Sequence, residues 1–197
     1  LTVLEGYHSP QFEVPVKLNT NESPFPLPKN FKKEFNSEIK KLDLNRYPQR
    51  EANELCISIA EKESLNINQV FAANGSNEII QSIFLAFGGN GRSVLIFEPT
   101  YAMHSQIAKI TGTRVIKGSR ESNFEVNKDE ALKLIEEESP DIVFLCSPNN
   151  PTGNLESEGL VNSIRSKLDE SGGLLVLDQA YEDFAEEPST LTVDEKS

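Results

Sequence analysis

Between residues 93 and 178, short uninterrupted apolar runs alternate with stretches whose apolar positions recur every three or four residues. SVLIFE (93–98), DIVFLC (141–146) and GLLVLD (173–178) are runs of the first kind, with TRVIK (113–117) a shorter fourth. Val, Ile and Leu in succession, with no polar residue between them, predict strands covered on both faces. The intervening stretches predict helices. One covers about 101–111 and stops at Gly112; another, over 128–138, is opened by Asn127; a third, over 156–170, carries Leu160, Ile164 and Leu168 on one face. Upstream, VFAA (70–73) reads as a short strand and SNEIIQSIFLAF (76–87) as a helix apolar nearly all round, stopped by Gly88-Gly89. Strands alternating with helices give an α/β fold with a mostly parallel sheet flanked by helices.

The N-terminal quarter is patterned differently. Pro10, Pro15, Pro24, Pro26 and Pro28 predict an extended arm over residues 1–28, since proline at that density forbids a helix. Phe31, Phe35 and Ile39 recur every four residues and predict an amphipathic helix over 29–41, followed by the loop DLNRYPQ (43–49). Leu55, Ile59 and Ala60 mark a further helix over about 51–63. The expected organisation is therefore an arm (1–28), a linking helix and loop (29–50), and a large domain (51–197).

Composition narrows the function classes. The 197 residues are 37% hydrophobic, with 11 Phe and no Trp, which suits an ordinary core. A net charge of −12 argues against nucleic acid or an anionic membrane as partner. No apolar run approaches the roughly 18 residues of a membrane helix, and the start does not resemble a signal peptide. Cys56 and Cys146 sit in core-like runs and are expected as buried free thiols, in keeping with a reducing cytoplasm. The sequons at Asn21 and Asn74 are taken as chance without a secretion signal. His8, His104, Cys56 and Cys146 make no metal-ligand spacing, and so few histidines support no nucleophilic triad.

In open α/β sheets ligands bind beyond the carboxyl ends of the strands. Four segments leave such ends: Asn74-Gly75-Ser76-Asn77, Glu98-Pro99-Thr100-Tyr101, Ser147-Pro148-Asn149-Asn150-Pro151-Thr152-Gly153, and Asp178-Gln179-Ala180-Tyr181. A parallel sheet brings all four to one rim. Gly75-Ser76-Asn77 offers amides and a helix N-terminus to a phosphate, or is a plain cap made by Ser76 or Asn77. Glu78 would repel a phosphate there and should point away. Tyr101 can stack on a planar ring or be a half-buried aromatic. A carboxylate such as Asp178, ending an apolar strand, is expensive to bury without a cation or donors, and a protonated pyridine nitrogen is one such partner. NGSNEI lacks the glycine pattern of a dinucleotide-binding turn.

At these segments the sequence resembles the fold-type I, class I/II aminotransferases, through SPNNPTG followed by an apolar strand and D-x-A-Y. LNTNESPFP (18–26), LNRYP (44–48), NGSNEII (74–80) and EPTYAM (98–103) are similar to the histidinol-phosphate aminotransferase subfamily, in order and spacing, from about residue 7 to 184. The resemblance implies pyridoxal 5′-phosphate (PLP) as cofactor. Ser76 and Asn77 would hold its phosphate, Tyr101 would stack on its ring, and Asn150 and Tyr181 would bond its 3-oxygen. Asp178 would pair with its ring nitrogen, making Asp178 and Tyr181 the catalytic positions. Tyr47 would reach the phosphate bound by the other subunit of a homodimer. Tyr7, Asn19 and Asn21 would lie near substrate, unless the arm is simply a strap between subunits.

The implied reaction moves an amino group from histidinol phosphate to 2-oxoglutarate, giving imidazole acetol phosphate and glutamate. Aromatic aminotransferases and threonine-phosphate decarboxylases share most of the motifs, and a non-catalytic PLP-fold binding remnant is the alternative of another class. Gln179 stands where the subfamily usually has Glu. The family's Schiff-base lysine follows one further strand; the one lysine after Asp178 is Lys196, in DEKS, which reads as a surface residue. The chain is therefore expected to be the N-terminal part of such an enzyme, inactive alone.

Overall fold

A computed structural model describes residues 12–17 and 19–186. They fall into two compact units, residues 1–50 and 51–197. The first contains α1 (Lys29–Ile39), which buries no residue; its expected apolar stripe is present and exposed, with the Phe31 and Phe35 rings stacked 6.0 Å apart.

The second unit runs α2 (Asn53–Glu63), α3 (Ser76–Phe87), β1 (Ser93–Glu98), α4 (Ala102–Ile110), β2 (Arg114–Ser119), α5 (Lys128–Glu138), β3 (Ile142–Cys146), α6 (Glu158–Ser171) and β4 (Leu174–Asp178). Local signals set several boundaries. Ala52 is left-handed (φ 46°), so α2 starts two residues after the expected position. Asn127 caps α5 through the amides of Asp129 and Glu130, and Gly172 ends α6 in the left-handed conformation (φ 74°) that glycine adopts readily.

The strand expected at VFAA does not form. Asn66 closes a capping box over a single 3-10 turn (Ile67–Gln69), and residues 70–73 continue as irregular chain with Phe71 exposed. Strand-forming residues make a strand only where a neighbouring ladder takes their backbone groups.

The four strands are all parallel, in the order β2-β1-β3-β4. Even-numbered residues Val94, Ile96, Ile142 and Phe144 face α3 and α4, packing on Ile80, Phe84, Ile107 and Ala108. Odd-numbered Leu95, Phe97, Val143 and Leu145 face α5 and α6, packing on Ile135, Leu160, Val161 and Ile164. The result is a three-layer α/β/α sandwich, the expected class. β3 is buried along its whole length, whereas β4, expected to be covered on both faces, is half-buried throughout because it is the edge of the described sheet. From β1 the chain crosses to β2 on one side and then returns to β3 on the other. The connection reverses between β1 and β3, and that reversal opens the ligand-binding crevice of such sheets at the carboxyl ends.

Candidate functional site

Asp178 ends β4 beside Cys146, the last residue of β3, and its carbonyl accepts the Ser147 amide (2.9 Å). By the pleat its side chain lies on the α3/α4 face and is 10% exposed. Oδ2 sits 2.9 Å from Nε2 of His104, and Oδ1 accepts the Ala180 amide at 3.1 Å. Burial alone would push this carboxyl up, but the His104 bond and charge, with the Ala180 amide, outweigh it and hold the group below the usual aspartate value. Asp178 is thus an ionised carboxylate with lone pairs still available at the crevice.

His104 is the residue the sequence reading missed. It is fully buried in α4, its ring 4.7 Å from that of Phe144 and edge-on to Tyr101 at 5.5 Å. With Asp178 ionised, Nε2 carries the hydrogen of their bond; Nδ1 is buried without a hydrogen-bond partner. The signal that could have found it is its place three residues after Tyr101, which puts both on one helix face.

Tyr101 is half-buried at the N-cap of α4, and its hydroxyl donates to Oδ1 of Asn77 (3.1 Å). This bond brings the start of α3 to the rim although no strand precedes it. Neither Ser76 nor Asn77 caps that helix: the cap position is Gly75, with φ 80° and no side-chain bond. The first-turn amides of Ser76 and Asn77 are therefore not capped by a side chain, and a helix N-terminus of this kind suits an anion. Glu78 does not point away as expected. Its Oε2 turns back to take the Asn74 amide at 2.7 Å, because a carboxylate is drawn to the positive end of its own helix.

The two asparagines of the loop after β3 divide their work. Asn149 is buried, accepting from Thr100 Oγ1 (2.9 Å) and donating to Pro99 O (3.1 Å) and Thr152 Oγ1 (2.8 Å). It therefore ties this loop to the one after β1. Asn150 is half-buried, and its side chain makes no hydrogen bond among the described residues. Next to this loop lies a second buried carboxylate. Glu156 is 2.7 Å from the guanidinium of Arg120, with the two side chains 3% and 1% exposed. Burial pushes Glu156 up, and Arg120 offsets this in part.

The sequence matches the family described as aminotransferase class I and II over residues 13–196. The chain belongs to that family. It is 40% identical over 196 residues to a histidinol-phosphate aminotransferase of Corynebacterium diphtheriae, covering 95% of this chain and 53% of that protein. A solved structure from Erwinia carotovora atroseptica superposes with a TM-score of 0.77 at 26% identity, covering 89% of this chain and 50% of the other. The histidinol-phosphate aminotransferase of Sinorhizobium meliloti, solved in complex with pyridoxal-5′-phosphate, shares the fold (TM-score 0.73, 21% identity, 82% and 43% covered). The chain spans about half the length of the curated relatives it matches.

Within this aminotransferase half, Asn77, Tyr101, Asn149, Asn150 and Asp178 gather around the β1/β3 reversal. Tyr181 follows the Asp178 turn, half-buried, with its ring 6.5 Å from that of Phe184. Tyr47, Asn19 and Asn21 belong to the first unit and are exposed there; Asn21 has φ 52°. Tyr7 and Lys196 lie outside the described residues. Cys56 and Cys146 are both buried free thiols, as expected, and burial lifts Cys146 to about 11. Among the described residues no helix is long and apolar enough to cross a membrane, and no group of His, Cys, Asp or Glu is placed to hold a metal ion.

Proposed function

We propose that this chain is the cofactor-binding half of a PLP-dependent aminotransferase acting on histidinol phosphate, with 2-oxoglutarate as acceptor. The observation that carries this reading is the buried, ionised Asp178 at the strand reversal, backed by His104. An anionic carboxylate with little solvent is suited to a cation or a hydrogen-bond donor, and the N–H of a pyridinium is both. The remaining residues fit the same ligand. Uncapped amides at Ser76 and Asn77 suit a phosphate, the Tyr101 ring borders the crevice, and the Asn150 amide has no competing partner.

Bound PLP supplies an electron sink for amino-group chemistry. Asp178 holds the proton on the ring nitrogen, because transferring it to a carboxyl with a lowered pKa is unfavourable. His104 fixes the carboxylate's direction through Oδ2. The Tyr101 ring would stack on the cofactor ring. Asn150 and Tyr181 donate hydrogen bonds to the ring 3-oxygen and keep negative charge there. Tyr47 serves the phosphate of a second subunit in a homodimer, with Asn19, Asn21 and Tyr7 near substrate. The buried free thiols Cys56 and Cys146 suit a cytoplasmic setting. The choice of histidinol phosphate rests on the name shared by relatives at about 40% identity.

The test is a PLP titration of the purified chain, followed by absorbance, then borohydride reduction and peptide mapping. Saturable binding that disappears in Asp178→Ala, with no lysine labelled specifically, is expected. Stoichiometric labelling of Lys196 would overturn the division of labour, and binding indifferent to Asp178→Ala would overturn the site.

A further inference from the structure

We propose that Arg120 and Glu156 are positioning residues: together they hold the 147–153 loop, and through it the Asn150 amide, in register with Asp178. The inference rests on the PLP reading of Asn150. Arg120 follows β2, and its own amide bonds Glu98 O at the end of β1 (3.0 Å). Its guanidinium reaches the end of β1 and two loops at once. Nε donates to Phe97 O (3.2 Å), Nη1 donates to Phe124 O (2.9 Å), and Nη2 lies 2.7 Å from Glu156 Oε1 in an ionic contact not aligned as a hydrogen bond. The backbone of Glu156 then closes the loop after β3, its amide donating to Ser147 Oγ at 3.0 Å. Inside that closure Asn149 exchanges backbone bonds with Asn154 and Gly153, and Asn154 Nδ2 is tied to Asn123 O beside Phe124.

A buried ion pair is not the stable choice for such a place, since an apolar pair of similar volume does as well or better. What Arg120 adds is direction. Its bonds to Phe97 O and Phe124 O fix the guanidinium plane, and the ionic contact with Glu156 ties the end of β3 to that plane, whereas two apolar side chains would let the loops slide. Among the described residues no hydrogen bond joins Arg120 or Glu156 to Asp178 or to the Asn150 side chain, so any effect on the ligand travels through Ser147 and Asn149.

The experiment compares the dissociation constants of PLP and its 3-O-methyl ether for the 197-residue chain. The wild type should prefer PLP by about tenfold or more, a charge-assisted hydrogen bond's worth, and Asn150→Ala should bring the ratio near one. In the double variant R120M/E156M the chain should stay folded, with a urea midpoint above that of Arg120→Met alone and lowered from wild type by the loss of the Phe97 O and Phe124 O bonds, while the ratio falls to within about threefold of Asn150→Ala. Amide exchange at Asn149 and Gly153 should rise, with Val143 and Leu145 unchanged. E156Q, which keeps shape and an acceptor, should fall between.

A folded double variant or E156Q with the wild-type ratio overturns the proposal, as does failure of both to fold, which would make the pair general scaffold. An unchanged ratio in Asn150→Ala sinks the role given to Asn150, and the present inference with it. Absence of PLP binding by the wild type sinks the proposed function itself. A shift in Asn150→Ala without one in the clamp variants removes only the clamp.

Discussion

Two buried carboxylates flank the carboxyl ends of the strands, and they are kept in opposite ways. Asp178 has the His104 ring and one backbone amide as partners, and its pKa is lowered. Glu156 has a guanidinium in contact, yet its pKa is raised, burial being the dominant cause. The difference lies in the balance around each group. For Asp178 burial is outweighed by the His104 bond and charge, with the Ala180 amide, whereas for Glu156 it is not outweighed by the Arg120 charge and bond, and the nearby Glu125 carboxylate adds repulsion. A cation in contact does not by itself compensate desolvation. One group is held ionised at the crevice, as the proposed function requires, and the other is paired within the protein.

The largest effect should come from breaking the clamp on one side. Arg120→Met leaves Glu156 buried without its cation and should lower unfolding stability by about 3–5 kcal/mol near neutral pH, read from urea midpoints. Asn149→Ala removes a buried side chain with three hydrogen bonds and should cost about 1–3 kcal/mol, whereas Asn150→Ala should stay within about 0.5 kcal/mol yet weaken PLP. Equal stability losses at the two positions would erase the division between them.

The carboxylates should also part in their pH dependence. Asp178 has a depressed folded pKa, so its contribution is complete above the ordinary aspartate value of 3.8 and is lost as pH falls through the folded value. His104→Phe removes the donor, so that this acid-side loss should shrink in a plot of urea midpoint against pH. Glu156 has the reverse sign. Its raised pKa means stability is drawn down as pH climbs from the ordinary 4.5 through the folded value, and E156Q should abolish that decline. Identical profiles for the two variants would contradict the comparison. The smallest change is expected at the rim: Glu78→Gln removes a carboxylate from the α3 N-terminus and should tighten inorganic phosphate or PLP binding a few-fold, on the scale of about 0.3–1 kcal/mol, by titration.

Much of this frame was legible in the sequence. The uninterrupted runs at 93–98 and 141–146 became β1 and β3 because nothing but a doubly covered strand accommodates such runs in a parallel sheet, and Asn127 capped α5 by purely local chemistry. VFAA failed because its composition suits a strand while its neighbours supply no ladder. The convergence of Tyr101, Asn150 and Asp178 followed from parallel topology, which needs only strand order and direction; Asn77 reaches the rim with no strand before it, through its bond to Tyr101.

What no linear pattern contained was partnership. His104 looked like an isolated histidine, yet it sits against a carboxylate 74 positions later, and Arg120 meets Glu156 across three strands' ends. Adjacent Asn149 and Asn150 are identical in one dimension; only the bonds to Pro99 and Thr100 bury the first, while the second stays half-buried. Periodicity and turn chemistry act within a few residues and so are written along the chain. Hydrogen-bond direction and desolvation depend on which distant groups share a volume, and only the folded sheet decides that.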